Sequence, residues 1–151
     1  AYYDANMNLQ ASSYASSFDS SIYPGRHVPD LCGLVGLAPK GIYIMMPTQP
    51  GSSVDTAFAG GAFPNGDETL NNDGWVCASG TSSATPMTAG VVALLLEHSP
   101  DLTPSEIKAT LKATAKDVTA GQSAMGDTAG PGYDKATAYG LVDAFEALEK
   151  L

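Results

Sequence analysis

The chain has 151 residues, one domain by length, and 44% of them are apolar, which is ordinary for a globular protein and too many for a disordered one. Seven Lys and Arg against sixteen Asp and Glu give a formal net charge of −9, which argues against a nucleic-acid or anionic-membrane partner, since both demand a basic face. The longest apolar runs fall far short of the ~20 residues that cross a bilayer. No apolar leader core follows a basic start and residue 1 is Ala, so the sequence reads as a trimmed or processed piece of a longer protein.

The first 25 residues are rich in Ser, Ala and Tyr and read as extended, ending at the turn Tyr23-Pro24-Gly25. Pro29 to Leu37 holds a short apolar stretch, and Ile42 to Met46 reads as a buried strand stopped by Pro47. Residues 47–74 show no sustained period. They begin a Gly-rich, acidic connection (about 47–79) that carries Asp55, Asp67, Glu68 and Asp73 without a Lys or Arg. Trp75-Val76-Cys77-Ala78 closes it as a short strand. Ser83 to His98 is a helix apolar on all sides, as a helix at the centre of a domain would be. Thr103, Pro104 and Glu106 spell an N-cap, a first-turn proline and a capping box for a second helix. Ile107 and Leu111 form its buried stripe and Lys108, Lys112 and Lys116 its solvated one. A third helix starts at Asp143, with Glu146 three residues on.

Cys32 and Cys77 belong to no CxxC and no zinc spacing, so one disulfide and two free thiols both stay open. The low lysine content and acidic surface fit a secreted or otherwise exported protein.

Gly80-Thr81-Ser82-Ser83-Ala84-Thr85-Pro86-Met87-Thr88-Ala89-Gly90 is the informative stretch. It sets a serine at a strand-to-helix junction, behind a glycine that permits a tight turn. Free N–H groups and the positive end of the helix dipole would lie beside that serine, as an acyl-transfer nucleophile requires. Spacing alone equally allows Thr81 or Ser82 to be a plain helix cap.

These residues resemble the signature around the nucleophile of subtilisin-like serine proteases. Ala15-Ser16-Ser17-Phe18 with Pro29-Asp30-Leu31, Leu102 to Ile107, and Tyr139 to Ala144 resemble further stretches of that family in the same order. The resemblance implies that residues 1–151 are the C-terminal part of a subtilisin-like peptidase domain. The expected fold class is α/β, a parallel sheet flanked by helices. It implies a serine endopeptidase in which Ser82 is the nucleophile and its backbone N–H an oxyanion donor. The family's Asp, His and oxyanion Asn would lie upstream of residue 1. Ser83 stands where the family commonly has Met, and Met87 where it commonly has His. No cofactor is required, although structural calcium is common in the family. A protein or peptide is the implied substrate, and the upstream half of the domain or a second copy of the chain the implied partner. The isolated chain is expected to be inactive. The rival reading is a non-catalytic, protease-like interaction module; an esterase with an unrelated base is a more distant one.

Neither histidine is expected to serve Ser82. His98 lies 16 residues further along the helix, roughly 24 Å away at about 1.5 Å per residue, and suits the helix C-terminus. Its position also disfavours an α/β-hydrolase, whose base follows its serine. His27 reads as a surface-loop residue and Asp30 as a turn-stabilising carboxylate with no catalytic role. Asn71-Asn72-Asp73-Gly74 resembles part of a calcium loop. Thr69 and Gly80 break the full pattern, and cation binding by Asp67, Glu68 or Asp73 is the weaker expectation.

Overall fold

The computed structural model of this chain describes residues 1–37, 44–60 and 69–151. Its first 28 residues double back twice. β1 (Tyr2–Tyr3) pairs antiparallel with β2 (Leu9–Gln10), and β3 (Phe18–Asp19) with β4 (His27–Val28). Asp4 makes the first reversal, its carboxylate accepting the N–H groups of Asn6 and Asn8, each at 2.9 Å. Ser20 makes the second, its hydroxyl accepting from Ile22 and Tyr23 at 3.2 and 3.0 Å. Short polar side chains take over backbone donors in this way where a chain turns.

β5 (Ile44–Pro47) pairs antiparallel with a later strand, and between them lies α1 (Ser53–Gly60), a helix the sequence reading did not anticipate. Ser52 Oγ accepts the Asp55 N–H at 3.2 Å, and the Asp55 carboxylate accepts the Gly51 N–H at 2.7 Å. That is a capping pattern in which Asp55 also favours the positive helix end. The later strand is β6 (Trp75–Ala78), with Met45 opposite Cys77. β5 is therefore a strand, but not the buried one expected, because Met45 is 58% exposed. Ile42 and Tyr43 lie outside the described residues.

Three helices follow: α2 (Thr81–His98), α3 (Pro104–Thr114) and α4 (Ala144–Glu149). The capping box of α3 forms as spelled: Thr103 Oγ1 accepts the Glu106 N–H at 3.3 Å, and the Glu106 carboxylate accepts the Thr103 N–H at 2.8 Å. Asp143 caps α4 by accepting from the Glu146 N–H at 3.1 Å. Ile107 and Leu111 are buried with Leu95 of α2 and Ala147 of α4 in one core. A second core is built mainly of small side chains, Ala1, Ala11, Ala129 and Ala136, around Val118 and Leu141.

Two expectations are corrected. No parallel sheet forms among the described residues: each sheet is a two-stranded antiparallel pair. Parallel contact survives as single bridges, Tyr2 to Val35, Ala11 to Gly121 and Cys32 to Leu141. Leu141 exchanges hydrogen bonds with Lys116 at 2.8 and 2.7 Å, while Cys32 bonds to Gly140 and Val142 on its other side. Gly33 and Gly36 interrupt the run from Leu31 to Leu37, removing side chains that would pack a continuous strand. Nor is α2 buried all round. Leu95 is its buried residue, whereas Met87 and Leu94 are 42% and 46% exposed. The described chain covers one side of this apolar helix and leaves the other open.

Candidate active site

β6 delivers the chain to Gly80, which stands at φ 154° and ψ 160°, a backbone shape that favours glycine. From there the chain turns directly into α2. The Gly80 carbonyl accepts the Ser83 and Ala84 N–H groups at 3.0 and 3.2 Å, and no side chain caps the helix. Thr81 and Ser82 are thus first-turn residues and not caps. Their two N–H groups meet no acceptor among the described residues. The Ser82 hydroxyl is exposed and makes no hydrogen bond among them. Other hydroxyls of the helix are occupied: Thr85 donates to the Thr81 carbonyl at 2.8 Å and Thr88 to the Ala84 carbonyl at 3.0 Å. Pro86 lacks an N–H, so the Ser82 carbonyl forgoes its i+4 helical bond. An exposed serine hydroxyl beside two unclaimed N–H groups at a helix N-terminus can attack a carbonyl and stabilise the resulting oxyanion.

Neither histidine is hydrogen-bonded to Ser82. His98 is the last residue of α2, at the opposite end of the helix. His27 is less of a loop residue than its sequence suggested. Its Nδ1 lies 2.9 Å from Asp19 Oδ1 and its Nε2 2.9 Å from the Lys135 carbonyl, so both ring nitrogens are engaged. The Lys135 carbonyl raises the imidazole pKa above its ordinary value; partial burial works against this and Asp19 adds to it.

The other acidic candidates have structural work. Asp30 meets Arg26 at 2.5 Å, Lys108 at 2.9 Å and Lys112 at 3.1 Å. Two of the three lysines expected on the solvated stripe of α3 therefore clamp a carboxylate instead. Burial pushes Asp30 up, but hydrogen bonds from Lys108, Arg26 and Lys112 outweigh it and hold the carboxyl at about 2. Asp73 accepts from the Trp75 and Leu70 N–H groups at 2.9 and 2.8 Å, holding the turn into β6. Asn71 accepts from the Thr56 hydroxyl at 3.1 Å. Asp67 and Glu68 lie outside the described residues, and among those described no three His, Cys, Asp or Glu gather as metal ligands. Cys32 and Cys77 form no disulfide with each other, and burial pushes the Cys32 thiol pKa up.

Sequence reasoning missed one neighbour of the site. Ser79, three residues before Ser82, accepts the Gly36 N–H at 3.0 Å and donates back to the Gly36 carbonyl. Its partners are remote in sequence, and a lone serine in a strand-end position gives no local signal.

The chain matches the Subtilase family (Peptidase S8) over residues 37–140. It is 30% identical over 110 residues to subtilisin-like protease SBT3.9 of Arabidopsis thaliana, covering 73% of this chain and 12% of that protein. Over 34 residues it is 62% identical to serine protease AprX of Bacillus subtilis, covering 22% of this chain and 8% of that protein. Among solved structures it is similar to fervidolysin from Fervidobacterium pennivorans, a keratinolytic enzyme related to subtilisin. That match has 32% identity and a TM-score of 0.50, and covers 72% of this chain and 14% of fervidolysin. The chain belongs to the subtilase family of serine proteases. It spans between 8% and 14% of the length of these three relatives.

Proposed function

We propose that residues 1–151 are the C-terminal part of a subtilisin-like peptidase domain, with 47–79 as an acidic, Gly-rich insertion, and that they carry its nucleophile. Ser82 Oγ attacks the carbonyl carbon of a peptide bond in a protein or peptide substrate. A histidine from the upstream half, oriented by an aspartate, takes the hydroxyl proton. The same proton then passes to the leaving amine as the C–N bond breaks and an acyl-enzyme forms on Ser82. Water releases the acyl group by the reverse route. The Ser82 N–H is one donor to the oxyanion. The reaction needs no cofactor; a structural calcium ion elsewhere in the protein is compatible with it, as is an extracytoplasmic location.

The observation that carries this reading is the exposed Ser82 hydroxyl beside unclaimed N–H groups in an uncapped first helical turn. A half-domain also accounts for the bare side of α2, where Met87, Leu94 and Leu96 stand in solvent. The upstream half, or a second copy of the chain, would cover them. The test is cleavage of a fluorogenic peptide by a full-length protein carrying residues 1–151. Ser82→Ala is expected to lower kcat by roughly a millionfold, the scale seen when a triad nucleophile is removed. Cleavage by Ser82→Ala at the parent rate would refute the assignment.

A further inference from the structure

We infer that Ser79 and Tyr14 are positioning residues for Ser82: with Gly33 and Gly36 they clamp the nucleophile turn on both sides. This inference rests on the reading of Ser82 as the nucleophile.

The first jaw of the clamp is a closed set of hydrogen bonds. Gly36 donates its N–H to Ser79 Oγ at 3.0 Å, and Ser79 donates its hydroxyl proton to the Gly36 carbonyl. The Tyr14 hydroxyl donates to the same carbonyl at 2.8 Å and touches Ser79 Oγ. Two hydroxyl protons serve three close oxygen–oxygen contacts, so the Tyr14 proton is shared between the Gly36 carbonyl and Ser79 Oγ while Ser79 donates to that carbonyl. Ser79 mimics a strand partner, its single hydroxyl replacing both backbone groups.

The second jaw is a backbone contact. A Cβ on Gly33 would stand 2.7 Å from the Ala84 carbonyl oxygen and 2.8 Å from Ala84 Cβ. The bare Gly33 backbone therefore sits flush against the helix two residues past Ser82. Both jaws belong to the segment 33–36, so four residues of backbone set the spacing between Ser79 and Ala84. Between the jaws lies Gly80, the permissive joint of the turn. Ser82 itself makes no side-chain bond that could orient it among the described residues. Its direction is fixed by what grips the chain before and after it. Misplacement of a reacting group by 1 Å costs about a hundredfold in rate.

The test times acylation by a peptide ester, and phosphonylation by a fluorophosphonate probe, in a full-length protein carrying residues 1–151. Ser79→Ala is expected to acylate about 10- to 100-fold more slowly with KM unaltered, and Tyr14→Phe to lose less in the same direction. Ser79→Thr, which keeps the hydroxyl, is expected to recover most of the rate. Ser82→Ala is the control: phosphonylation that survives it overturns the nucleophile assignment, and the clamp with it. Where Ser82→Ala abolishes labelling, a parent rate in Ser79→Ala overturns the clamp alone. So does a Ser79→Thr rate as low as that of Ser79→Ala. Should Ser79→Ala fail to fold, Tyr14→Phe decides through amide exchange at Ser82 to Ala84. Faster exchange with slower acylation upholds the clamp, and neither change overturns it.

Discussion

Asp30 and His27 show how single side chains tie distant parts of this chain together. Asp30 joins Arg26 beside β4 to Lys108 and Lys112 of α3. Its folded pKa of about 2 lies below its ordinary value of 3.8. Its stabilising contribution is therefore fully present above about pH 4 and is lost as the pH falls through 2. Asp30→Asn should cost about 1–2 kcal/mol at pH 7, between an exposed ion pair and a charge-assisted hydrogen bond. Urea midpoints of parent and variant, measured at pH 7 and pH 2, should differ at the first and converge at the second. His27 runs the other way. Its imidazole sits between two acceptors and is held above its ordinary value of 6.5. The stability it lends is present below pH 6.5 and is lost as the pH rises through the raised folded value. The parent should thus lose a stability advantage over His27→Gln between pH 5.5 and pH 8. A difference between the two proteins that does not change with pH would contradict this.

At the scale of elements, what was legible depended on how local the determinants are. The start of α3 was readable because Thr103, Pro104 and Glu106 contain the whole code within four residues. The start of α1 carries a similar code in Ser52 and Asp55. It was hidden in a stretch whose Gly, Pro and Asn content spoke for a loop. The proposed role of Ser82 rests on a contiguous motif. The contacts of Ser79 could not be read locally, since its partners Gly36 and Tyr14 lie 43 and 65 residues away. The exposure of α2 was not legible for a related reason: its composition reports the surroundings it suits, and the described residues cover one side of it. An apolar helix face left in water is an association surface. The isolated chain should therefore self-associate through α2 in sedimentation velocity, and Leu94→Lys should return it to monomer. A parent chain that stays monomeric at high concentration would contradict the prediction.

Across the whole molecule, the two ends of α2 are held in different ways. Leu95 near its C-terminal end is fully buried against α3 and α4. The N-terminal end is held by Gly33 and, through the preceding residue Ser79, by Gly36. The turn that carries Ser82, the proposed nucleophile, thus stands on a fixed support, but no free imidazole among the described residues stands beside it to take its proton. A serine hydroxyl without a base within ~3 Å is a weak nucleophile. The most direct test of this division is mass spectrometry after fluorophosphonate treatment. The isolated chain and a full-length protein carrying residues 1–151 would be treated side by side. A single adduct on the Ser82 peptide of the full-length protein is expected, with the isolated chain slower by at least about a thousandfold. An adduct on a different serine of the full-length protein, or rapid labelling of Ser82 in the isolated chain, would contradict it.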